Sequence, residues 1–143
     1  MSNQYKDLNI LTALLLATTG ALIADTFASI VGMEALIKPQ NLLSDILVIA
    51  SSLLINGMVY ATAYILDSEI TLLKIVWFLS LLVDAYTTFI AIFFEVLLNS
   101  DTVDWTLIKV DSFNSLIRTI AVLTLSIAIS LMAMCSGYLS KRK

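Results

Sequence analysis

Asp84 sits near the centre of a twenty-residue apolar stretch, residues 75–94, bracketed by Lys74 and Glu95. Twenty helical residues cover roughly 30 Å, the thickness of a bilayer's hydrocarbon core. An ionised carboxylate at that depth costs about 2.5 to 3.5 kcal/mol on insertion scales, so it implies a partner or a purpose. Ser80, Asp84, Thr88, Ala91 and Glu95 follow at spacings of four, four, three and four, which draws one polar stripe down one side of a helix. Asp45, Ser52, Asn56, Tyr60 and Ala63 mark a comparable face in the preceding apolar stretch, and Asp25, with Thr26 and Ser29 beside it, lies in the first. Carboxylates and amides at membrane depth suit a proton or cation pathway, because rings of acidic groups attract and concentrate cations. The alternative reading is that Ser, Thr and Asn merely hold helices together, at about 0.6 kcal/mol per hydrogen bond.

Counter-charges are scarce. Arg118 is the one cation expected inside a helix on the acidic side, and a salt bridge to Asp25, Asp45 or Glu95 competes with snorkelling to the headgroups. Asp84 has no cation at its depth, since Lys74 lies ten residues away on another side of the same helix. It is therefore expected to be protonated, or to face a cation or water. A two-aspartate catalytic site made of Asp25 and Asp84 would need both at one depth. With the first helix ending near residue 33, Asp25 falls eight residues, roughly 12 Å, from its outer end, a couple of turns from Asp84.

The composition narrows the chemistry further. The 143 residues are 59% hydrophobic and 13% charged, against about 25% charged for a soluble domain. No histidine and one cysteine, Cys135, leave no zinc or Cys/His chemistry, so no metal, cofactor or enzymatic role is expected. Cys135 reads as a small packing residue. No phosphate-binding loop is present, and the only basic run, Lys141 to Lys143, suits an inner-leaflet anchor; neither nucleotide nor nucleic acid is an expected partner.

These residues must be positioned by four apolar segments, about 8–33, 42–66, 70–98 and 113–139, joined by short polar linkers. The fold expected is an all-α, antiparallel four-transmembrane-helix bundle in a single domain. Lys6, Lys74 and the C-terminal cluster outnumber Lys38, Lys109 and Arg118, which puts both termini in the cytoplasm and makes an outer face of Glu34, Asp45, Glu95, Asp101, Asp104 and Asp111. A cleaved leader is the rival reading of the first segment, but its apolar run is too long and lacks a clean cleavage site. The first helix carries Gly20, Ala24, Ala28 and Gly32 at four-residue spacing, a ridge for close helix packing, beside a row of Ala13, Ala17, Ala21, Asp25 and Ser29. Setting Asp25 on Asp84 aligns residues 23–27 with 83–86, brings Glu34 and Glu95 into rough correspondence, and invites Asn41 onto Asn114, as in a duplicated hairpin.

Two functions fit. One is a small homo-oligomeric channel or transporter subunit that passes protons or cations, with the third helix's stripe facing neighbouring protomers and Arg118 as a salt-bridge partner. The other is a structural subunit of a larger secretion, defence or respiratory membrane complex. A bacterial inner membrane is the expected setting in either case.

Overall fold

A computed structural model of the chain describes residues 2–100, 102–108 and 112–141, with side chains from residue 10 to residue 139. Asp101, Lys109, Asp111, Arg142 and Lys143 lie outside the described residues. The architecture is all-α: α1 Ser2–Ile37, α2 Leu42–Tyr60, the short α3 Thr62–Leu66, α4 Thr71–Ile90 continued by a π-helix Ala91–Leu97, a 3₁₀ turn Trp105–Leu107, and α5 Phe113–Lys141. Among the described residues four spans are long and apolar enough to cross a bilayer, Ile10–Ile37, Leu42–Tyr60, Thr71–Leu97 and Phe113–Leu139. The protein is an all-α integral membrane protein of four spanning helices.

The helix ends follow local chemistry. Asn41 caps α2 by accepting from the Ser44 amide at 3.0 Å, while the Ser44 hydroxyl accepts from the Asn41 amide at 3.1 Å. Ser112 and Ser115 exchange the same pair of bonds at the start of α5, at 3.2 and 3.3 Å. The residue equivalent to Asn41 is therefore Ser112, and not Asn114 as the sequence alignment of the two halves suggested. Lys38 and Asn99 close α1 and the π-helix in left-handed conformations, with φ of 51° and 50°.

Two irregularities depart from the expected segments. The second span breaks at Ala61, where the Thr62 hydroxyl bonds back to the Val59 carbonyl and the Trp77 indole donates to Thr62 at 2.8 Å. In the third span the π-helix sets Phe93 and Phe94 side by side in the core with Ile90 and Val122. Its wider turn swings Glu95 off the polar stripe, which ends at Ala91.

The first span packs against all three others. Its contact face runs through Thr18, Asp25, Ser29 and Gly32, all buried. The row expected to pack is only partly used: Gly32 is buried and Ala28 half-buried, while Gly20 and Ala24 are exposed. A Cβ on Gly32 would come within 1.9 Å of the Thr87 carbonyl oxygen, whereas one on Gly20 would meet nothing within 4 Å. Gly137 plays the same part between the other two spans, its Cβ position 1.9 Å from the Tyr60 carbonyl oxygen. Cys135 is exposed and does not pack in the interior.

Candidate functional site: a buried aspartate pair

Asp25 and Asp84 are both fully buried, at 0% exposure, and their carboxyl groups lie within hydrogen-bonding reach of one another. The separation of a couple of turns expected from the sequence does not hold. The reason is the length of α1, which continues to Ile37 and so moves Asp25 to twelve residues, roughly 18 Å, from its end. Asp84 lies thirteen residues from each end of its own span, Thr71–Leu97. Both carboxyls therefore occupy the middle of the membrane-spanning region.

Each acid is held by the other helix. Ser29, one turn after Asp25, donates to Asp84 Oδ1 at 2.6 Å, and Thr88, one turn after Asp84, donates to Asp25 Oδ1 at 3.0 Å. The reciprocity follows from the shared i, i+4 spacing of acid and hydroxyl on two helices that run in the same direction. A third helix contributes Ser130, whose hydroxyl reaches Asp25 Oδ1 at 3.3 Å. The Thr87 hydroxyl sits 3.1 Å from that of Ser29. Ser29, Thr88 and Ser130 all serve Oδ1 atoms, and the buried Oδ2 atoms of Asp25 and Asp84 receive no hydrogen bond.

Asn56 stands beside this layer. Its amide donates to the Ser52 carbonyl at 3.0 Å, and its Oδ1 is 3.4 Å from the Thr26 hydroxyl, so it joins α2 to α1 next to Asp25. Ser80 is buried one turn from Asp84 and bonds its own helix at the Val76 carbonyl, 2.9 Å away. The polar faces of the four spans thus meet inside one chain. The stripe of the third span does not face outward to a neighbouring protomer.

The other candidates lie at the end of the bundle that carries the linkers. Asp45 sits half-buried in the first turn of α2, where a negative charge complements the helix dipole. Glu95 is exposed, and with Val31, Glu34, Ala35, Lys38 and Ser100 it lines a cavity of about 270 Å³. Arg118 is exposed and pairs with none of Asp25, Asp45 or Glu95. The salt bridge expected with these three acids is therefore not formed. The only buried charged residues among those described are the two aspartates themselves. No group of three or more acidic, Cys or His residues that could hold a metal ion occurs among the described residues.

Sequence reasoning singled out both aspartates but missed their partnership and the roles of Thr87 and Ser130. The shared Asp-x-x-x-Ser/Thr spacing was the signal that could have found it. No protein family, curated protein or solved structure matches this chain.

Proposed function

We propose that this protein is a small membrane transport protein that takes up a proton, or a small cation in its place, at the Asp25–Asp84 pair and passes it across the bilayer. The observation that carries this reading is the pair itself: two fully buried carboxyls face each other, and their Oδ2 atoms have no donor. Two adjacent carboxyl groups in a low-dielectric interior cannot both stay ionised without a counter-charge. No basic side chain is buried with them among the described residues, so the charge that joins them is a proton or a small cation. The route runs inside one four-helix unit, as the inward polar faces support. The acidic cavity at the linker end, with Glu34 and Glu95, gathers cations at one mouth. The proposed setting is a bacterial inner membrane with both termini cytoplasmic. Burial of both acids away from water argues against using the pair for hydrolysis.

The test is proton flux into liposomes holding the purified protein, driven by a potassium diffusion potential. Wild-type flux should fall at least tenfold in Asp84→Asn and in Asp25→Asn, with assembly unchanged by size-exclusion chromatography. Equal flux in wild type and both variants would remove the pair from any pathway.

A second reading, an assembly subunit of a larger membrane complex, draws on a different observation. Ala13, Ala17, Gly20 and Ala24 form an exposed small-residue row on α1, the kind of surface on which a further helix packs closely. The same row would serve a homo-oligomer of the transporter. A stable complex with other membrane proteins, together with no flux, would favour this reading.

A further inference from the structure

A cleft of about 210 Å³ opens between α4 and α5, lined by Leu81, Leu82, Ala85, Ile127, Ser130 and Leu131. Ala85 follows Asp84 in sequence, so the cleft lies at the depth of the aspartate pair. Five of its six lining residues are apolar, as a surface bathed in lipid requires. The sixth, Ser130, is 1% exposed and donates to Asp25 Oδ1 at 3.3 Å. One hydroxyl thus joins the lining of this cleft to Asp25, whose Oδ2 atom, like that of Asp84, is unpartnered.

Charge complementarity identifies what fits. The groups around the pair are neutral from every packed element: Thr26 and Ser29 on α1, Ser52 and Asn56 on α2, Thr87 and Thr88 on α4, Ser130 on α5. An occupant that approaches from the cleft needs an apolar body to cross it and a cationic end to meet the acids. An apolar cavity of about 150 Å³ takes a benzene ring, so the cleft has room for one ring and a short arm. A hydrated metal ion has no polar path there.

We propose that the α4–α5 cleft is a lateral portal through which arylalkyl ammonium ions reach the Asp25–Asp84 pair and exchange with its proton. The inference rests on the transport reading above and names its substrate class. In the exchange, one ammonium cation enters as one carboxyl O–H bond breaks and its proton passes to water, so the net charge of the site is conserved. The ammonium donates to the two Oδ2 atoms, which no other group serves.

The test uses 2-phenylethylammonium and the full-length protein in nanodiscs, with protein-free nanodiscs to subtract partitioning into lipid. Calorimetric titration in two buffers of different ionisation enthalpy should show saturable binding with one proton released per ligand. The Kd should fall about tenfold for each pH unit of increase while the free pair holds its proton. Ala85→Phe fills the cleft and should weaken binding at least tenfold while proton flux stays within twofold of wild type. Leu131→Trp, at a position already 43% exposed, does the same if Ala85→Phe fails to assemble. Asp84→Asn should lose both binding and flux. Flux without saturable binding, binding without proton release, or binding indifferent to both cleft variants would overturn this inference and leave proton passage intact. Binding with proton release in a protein that shows no flux would overturn proton passage and support the site.

Discussion

The first and third spans each carry two acids, one in the middle and one near the linker end, and the two levels meet opposite fates. Asp25 and Asp84 are sealed together, each held by a hydroxyl from the other's helix. Glu34 and Glu95, nine and eleven residues further on, line an open cavity beside Lys38. The same residue chemistry is thus a costly, specific contact in one layer and a solvated rim in the other. What differs is the surroundings. At the middle, two helices at matching depth present an acid and a hydroxyl four residues apart. At the rim, a π-turn rotates Glu95 away from the interface.

The contrast can be broken most strongly through charge. Asp84→Asn should cut proton flux at least tenfold, whereas Glu95→Gln should change it less than twofold at physiological salt, because exposed charges are screened within about 8 Å there. Equal losses would mean that the rim, and not the buried pair, limits passage.

A geometric version comes next. Gly32→Ala places a methyl against the Thr87 carbonyl and must push α1 from α4, at a cost of about 1 to 3 kcal/mol by analogy with overpacked cores. Gly20→Ala, on the open side of the same helix, should be neutral or slightly stabilising. Thermal denaturation in detergent compares them, and a Gly32→Ala protein as stable as wild type would show that the close helix contact is not needed.

The reciprocity of the pair can be sharpened with Ser29→Ala and Thr88→Ala. Each removes one donor, and each should cost about 0.6 to 1.7 kcal/mol, the range of interhelical hydrogen bonds in membranes. The double variant should depart from additivity, because both bonds act on one coupled carboxyl pair.

The smallest effect is expected at the 3₁₀ turn, outside the membrane. Hydrogen bonds from the Thr106 hydroxyl and amide, at 2.7 and 3.0 Å, hold the Asp104 carboxyl below its ordinary value of 3.8. A lowered carboxyl supports the folded turn fully above the ordinary value and loses that support as pH falls through the lowered one. Fluorescence of Trp105, which packs edge-on to Phe94 and stacks on Tyr86, should therefore be flat from pH 7 to pH 5 and change only in stronger acid. The measurement needs a Trp77→Phe background, and a transition near neutral pH would contradict the assignment.

Four apolar segments and a carboxylate in the middle of the third were determined by the sequence alone, because length and hydropathy set which helices can cross a bilayer. Asp25 and Asn56 could be selected in the same way, as polar groups at costly depth. Their relations could not. Whether Asp25 meets Asp84 depends on where α1 stops, and the charge at Glu34 hides four further helical residues, 34–37, before Lys38 turns left-handed. Whether Glu95 joins the stripe depends on a π-turn that a 3.6-residue period does not anticipate. Which small residues pack depends on how α1 is rotated among three neighbours, so Gly32 is enclosed while Gly20 faces outward. Sequence periodicity gives each helix a polar face, but only tertiary packing sets depth and rotation between helices, and those two quantities made the aspartates a pair.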